Sequence, residues 1–127
     1  MTKPAIKITA ILGALILLAG GAFHMTALPQ LKAALGALEP GFFQDGLPAM
    51  WKLPAIHWIF IAFLSIGLSR YKSNSCAAIL MAFGCWVIVD ALISFIYVGP
   101  FVGVYMLGLA GALLLASGMM LRKDMRA

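Results

Sequence analysis

Charge is what this sequence has least of. Of its 127 residues only 10% are Asp, Glu, Lys or Arg, and the acidic ones number four. A soluble domain carries about 25% charged residues to cover its surface. A water-facing globule of this composition is therefore excluded, and the 64% hydrophobic content makes lipid the solvent. Cysteine is scarce as well. Cys76 and Cys85 fall in one apolar run, which on a helix sets them on opposite faces about 13 Å apart along the axis. They do not pair within the chain. Without a CxxC pair or a Cys/His cluster a structural zinc site is not expected, and cysteine usage leaves the redox compartment open. No nucleophile elbow, P-loop, glycine-rich dinucleotide fingerprint or HExxH is present. Ser65, Ser94 and Ser117 stand in apolar runs, where a hydroxyl most often bonds back to its own helix. The eight methionines form no MxxM array, so they read as core fillers and not as a copper path.

What the chain does have is four long apolar runs, at about 5–27, 48–69, 75–97 and 100–121. Each is long enough, at 1.5 Å per residue, to cross a hydrocarbon core of about 30 Å. The first run, preceded by Lys3 and Lys7 and containing Gly20-Gly21-Ala22, also reads as a secretory signal. A retained helix is the expectation adopted. Residues 28–52 form the one extended polar stretch, punctuated by Pro29, Pro40-Gly41 and Pro48. Two helical turns over Gln30–Leu38 are expected there, and Phe42, Phe43 and Trp51 suit a headgroup layer. The predicted fold is all-α: an integral membrane four-helix bundle in one domain, residues 1–127, with a cap between the first two crossings.

The basic residues give the bundle a direction. Lys3, Lys7, Arg70, Lys72, Arg122, Lys123 and Arg126 fall on one side, and only Lys32 and Lys52 on the other. By the positive-inside rule both termini and the 70–74 loop are cytoplasmic, and the cap faces outward. The net charge of +5 thus anchors helices at headgroups. Nucleic acid is rejected as a partner, because the basic residues form no patch interleaved with aromatics. Small residues recur in the last crossing at Gly108, Ala112 and Ala116, and before it at Gly99 and Gly103. Such stripes let helix backbones approach. Packing within the chain is the main expectation for them, and a homo-oligomer or membrane-protein partner the alternative.

Ionisable groups inside the crossings are sparse, which singles out His24, His57 and Asp90. An intramembrane charge costs a few kcal/mol or more, so such groups face the bundle interior and find partners. Helix rise sets their depth. Measured from the basic ends, His24 stands about 25 Å up, Asp90 and Tyr105 about 24 Å and His57 about 18 Å. Ser94 and Tyr97 share the Asp90 face at i+4 and i+7, with Trp58 and Trp86 near in depth. A polar cluster in the outer half, under the cap, is expected from His24, His57, Asp90, Ser94, Tyr97 and Tyr105. One reading makes it a pocket for a quinone head, a lipid headgroup or a small polar ligand, with Asp90 and a histidine as proton acceptors and a tyrosine as donor. The other is a closed Asp–His–Tyr network that only fixes helix register. Narrower options are a haem b held by His24 and His57, and a metal on His24, His57 and Asp90. Neither metal nor cofactor is the main expectation.

The first crossing, ILGALILLAGGAFHMTALPQL, has paired glycines, a polar residue just after them and a proline shortly beyond. It resembles the opening of DoxX-like bacterial membrane proteins. That resemblance covers about twenty residues and the helix count, and no signature matches after residue 53. It implies a four-helix protein of the bacterial inner membrane, in a family with several members tied to respiratory or thiol redox chemistry. It transfers no functional residue.

With so little mass outside the membrane and no catalytic motif, the leading expectation is a non-catalytic accessory or assembly protein docking on a larger membrane complex. The alternative is a quinone-, haem- or small-ligand-binding protein or oxidoreductase subunit using the Asp90 cluster. A third is a small proton-coupled transporter working through Asp90. Very small multidrug exporters carry an acidic residue in their first helix, and here that helix has none.

Overall fold

The structure, a computed structural model, describes residues 2–126. Five α-helices follow one another: α1 Pro4–Met25, α2 Leu28–Leu35, α3 Leu47–Leu68, α4 Asn74–Val98 and α5 Val102–Arg126, with a π-type turn at Phe42–Gly46 leading into α3. Prolines open three of them, Pro4 in α1, Pro29 in α2 and Pro48 in α3. A proline costs nothing in a first turn, where its missing N–H has no partner to lose and its φ is already helical. Gly99 ends α4 with φ +93°, a backbone conformation that a β-carbon disfavours. Pro100 follows, and α5 starts two residues later.

α1, α3, α4 and α5 are each long and apolar enough to cross a membrane. Their spatial order is α3, α1, α5, α4. α5 packs along both α1 and α4, α1 along α3, and α3 touches α4 only sparingly. The central core joins Leu17 of α1, Trp58 and Ile61 of α3, Val87 of α4 and Leu107 and Leu114 of α5. Around it Phe60 and Phe63 of α3 and Ile96 of α4 are more than 60% exposed. A bundle that turns this many large aliphatic and aromatic side chains outward is built for acyl chains. The protein is a multi-pass integral membrane protein.

The α4–α5 contact is the tightest in the molecule. A β-carbon on Gly84 would stand 2.4 Å from the Leu115 backbone N. One on Gly111 would meet Ile88 and the Gly84 carbonyl at 2.8–2.9 Å, and one on Gly118 would meet Met81 and the Ala77 carbonyl at 2.6–2.9 Å. This corrects the expected stripe. Gly108, Ala112 and Ala116 share a face, but Ala112 is exposed and a β-carbon on Gly108 would meet nothing within 4 Å. Spacing identified a small-residue helix, and the buried face lies one step round, through Gly111 and Gly118. Gly99 serves the turn, and Gly103 lies under the Phe101 ring.

Both termini and the α3–α4 loop meet at one end. Lys3 and Lys72 bond the two oxygens of Asp124 at 2.8 and 3.2 Å. Thr2 Oγ1 donates to the Ser69 carbonyl at 2.7 Å, and Ser117 Oγ to that of Ile6 at 3.0 Å. With Asp124 held in this way, α5 continues helical past Leu121, where a shorter crossing was expected, to Arg126. The opposite end carries the cap, in which α2 covers Leu28–Leu35 and not the Gln30–Leu38 expected, because Pro29 opens it and Gly36 ends it. Cys76 is half-buried and Cys85 exposed, both as free thiols.

Candidate functional site

Towards the cap end the helices form a cavity of about 560 Å³, open on one side, within the 300–1,000 Å³ range typical of small-molecule sites. Every crossing contributes: Gly20, Phe23 and His24 from α1, Trp51, Pro54, His57 and Trp58 from α3, Asp90, Ile93, Ser94 and Val98 from α4, and Gly103 and Leu107 from α5. The volume follows from the sequence. Gly20 is buried, yet a β-carbon added there would meet nothing within 4 Å, so the glycine faces empty space. Pro54 stands inside α3. Its ring displaces the preceding turn and its missing N–H frees a carbonyl, loosening α3 beside the void.

The polar centre is Asp90. Its Oδ2 accepts two hydrogen bonds from neighbouring residues of α3, one from Trp58 Nε1–H at 2.9 Å and one from His57 Nε2–H at 2.9 Å. Two N–H donors on one oxygen suit a carboxylate, and they assign the His57 proton to Nε2. Asp90 Oδ1 and His57 Nδ1 have no hydrogen-bond partner among the described residues. The pair is not sealed in: the His57 side chain is 38% exposed and that of Asp90 21%. It stands at the sparse α3–α4 seam, facing both the cavity and the bilayer.

His24 is bound elsewhere. Its ring stacks on Trp51 with centroids 4.4 Å apart and planes 12° from parallel. Nε2–H donates to the Trp51 carbonyl at 2.8 Å, and Trp51 Nε1–H returns a bond to the His24 carbonyl at 3.3 Å. This reciprocal clasp pins the end of α1 to the first turns of α3. Trp58 touches both imidazoles edge-on, at 5.3 Å from His24 and 5.7 Å from His57. The indole thus touches both imidazoles, and each Nε2 has a hydrogen-bond partner. His24 does not join the His57–Asp90 pair as a third metal ligand: among the described residues no three His, Cys, Asp or Glu side chains converge.

Of the residues expected to form the cluster, His24, His57, Asp90 and Ser94 line the cavity, and Tyr97 and Tyr105 do not. Tyr97 is 83% and Tyr105 64% exposed. Tyr97 lies on the Asp90 face of α4, but that face looks into the α3–α4 gap, and near the helix end nothing stands opposite. Tyr105 has the right depth and the wrong azimuth, since it lies 200° round α5 from the inward-facing Leu107 at 100° per residue. Trp86 likewise points outward. Trp58, expected near this depth, proves to be the partner of Asp90, and Trp51, expected only in the headgroup layer, also lines the cavity. Their seven-residue spacing on α3 shares one face, and an indole N–H inside a membrane needs an acceptor. Taken together with the single acid of the crossings, those two facts point to Trp58 as the partner of Asp90.

No family matches the chain, and comparison with curated proteins and with solved structures yields no match. The geometry of the site carries the functional reading.

Proposed function

We propose that this protein binds a lipid-soluble molecule with a carbonyl- or hydroxyl-bearing head, of quinone type, in the outer half of the membrane. The observation behind this reading is the apolar cavity of about 560 Å³ ending on a partly exposed His57–Asp90 pair. An apolar wall with a few convergent polar groups selects a mostly hydrophobic ligand and orients its head. His57 Nδ1 and Asp90 Oδ1 are the atoms available to it. Nδ1 accepts from a hydroxyl while the ring is neutral and donates to a carbonyl once it is protonated. The two redox forms of a quinone present these two partners. Trp51, Trp58 and Phe23 offer flat apolar surface to a ring. The likeness of the first helix to DoxX-like proteins supports a bacterial inner-membrane location, and the charge order supports placing the basic end in the cytoplasm.

Titration of the purified protein with a short-chain benzoquinone, followed by quenching of tryptophan fluorescence, tests the reading. Saturable quenching is expected, and Gly20→Leu should abolish it by filling the void without touching a polar group. Quenching that survives both Gly20→Leu and Asp90→Asn sinks the proposal.

Docking on a larger membrane complex is a second reading, supported by Gly108 and Ala112. They are four residues apart on the outside of α5, with open space over Gly108, a face on which another helix could approach closely. Crosslinking from a photoreactive residue at Ala112 in native membranes should yield a defined adduct, and a ladder of lipid adducts alone would dismiss this reading.

A further inference from the structure

At the basic end, away from the cavity described above, a groove of about 500 Å³ runs between α4 and α5. It is lined by Asn74, Ala78, Arg122, Met125 and Arg126. Arg122, Met125 and Arg126 follow the i, i+3, i+4 spacing of one helix face, so two arginines and one apolar residue share the side of α5 that lines the groove. The one acid on this stretch of α5 is Asp124, whose two oxygens are occupied by Lys3 and Lys72. Among the described residues neither Arg122 nor Arg126 forms an ion pair. Among the described residues the groove therefore presents two cations and a side-chain amide without an anion to neutralise them. Its floor is apolar: Met125 packs on the buried Ile6, Ala77, Leu80 and Leu121, and Ala78 forms the opposite lip. It lies just beyond Leu121, where the apolar part of α5 ends and lipid phosphates reside.

We infer that this groove binds the phosphodiester head of an anionic phospholipid. Arginine presents a planar fork that pairs two phosphate oxygens at once, and basic pockets between transmembrane helices recognise anionic headgroups. The apolar floor favours a lipid over free phosphate, because Met125 and Ala78 have matching partners only in the glycerol and first acyl methylenes.

Native mass spectrometry of the full chain, titrated with phosphatidylglycerol, tests the inference. One lipid per chain is expected to be retained at concentrations where phosphatidylcholine is not. Loss of one arginine should weaken binding about fivefold, and Arg122→Gln with Arg126→Gln about 25-fold. Ala78→Phe fills the groove without changing charge and should weaken binding to a similar extent. Lys123→Gln, outside the groove, should cost no more than the roughly fivefold expected of one diffuse charge. Should the double variant not fold, Ala78→Phe and Arg126→Gln alone decide. The inference is overturned if Ala78→Phe binds like the unmodified chain, if Lys123→Gln is as damaging as the double variant, or if inorganic phosphate displaces the lipid at equal concentration.

Discussion

Along the α4–α5 seam, as far as the groove at the basic end, helices close until backbone meets backbone. Gly84, Gly111 and Gly118 leave no room for a β-carbon, and Ile6, Ala77, Leu80 and Leu121 are at most 2% exposed. Across the bundle at the cap end, α3 and α4 stand apart, Gly20 faces empty space and the His57–Asp90 pair is partly open. Both regions use glycine, for opposite ends. In the first it removes the atom that would hold two helices apart, and in the second it leaves a volume unfilled. Close packing in a membrane comes from van der Waals contact and not from expelling water. A void there forfeits contacts with nothing in return unless something else fills it. The open cavity therefore needs an apolar occupant, a lipid chain or a ligand, and the His57–Asp90 pair at its end favours one with a polar head.

The most damaging way to break the contrast is on the closed side. Gly84→Leu must drive α4 from α5, and with only sparse α3–α4 contact to hold α4 otherwise, the loss should be at least the about 1–3 kcal/mol of an overpacked core. A detergent-melt midpoint far below that of the unmodified chain is the readout, and an unchanged midpoint would refute the described seam. Next in size is the open side. Asp90→Asn keeps the shape and removes the charge, and should weaken quinone binding by about tenfold, the loss of one charge-assisted hydrogen bond of about 1.5 kcal/mol. Its cost to folding should be small, since hydrogen bonds between transmembrane helices average about 0.6 kcal/mol. Binding lost with the melt unchanged would assign Asp90 to the ligand, and the reverse would make it a packing residue. Trp58→Phe keeps most of the ring and removes one donor to Asp90. A destabilisation of about 0.6 kcal/mol is expected, with a weaker effect on quenching titrations than Asp90→Asn. Smallest of all should be Tyr105→Phe and Tyr97→Phe. Both hydroxyls lie outside the cavity, so neither change should alter the melt or the binding curve, and loss of binding in either would show that the α3–α4 seam closes around a ligand.

The crossings were legible because spanning a bilayer demands about twenty apolar residues, and the prolines and the Gly99-Pro100 pair mark where helices begin and end. The level of the site was legible only in part, since the count set His57 about one turn below the Asp90 it bonds. Rise per residue put His24 and Asp90 at one height, and Asp90 stood out as the single acid of the crossings' cap-side half. The azimuth was not legible. At 100° per residue, Tyr105 and Leu107 face opposite ways at almost the same depth, and an apolar helix in lipid carries no polar outer face to mark which side is buried. The same blindness moved the expected small-residue stripe from Gly111 and Gly118 to Gly108 and Ala112.

The sequence by itself determined that the chain crosses a membrane four times, that its basic residues gather at one end, and that its few ionisable groups within the crossings stand towards the other. These are one-dimensional properties, set by hydrophobic length and charge order. Which helices touch was decided only by the fold. Trp58 donates to Asp90 because α3 and α4, adjacent along the chain yet sparsely packed, still approach at that level. His24 clasps Trp51 because α1 packs on α3. The cavity exists because Gly20 faces the gap that those neighbours leave. Pairing between helices depends on complementary shape summed over whole surfaces, and no single residue carries that information.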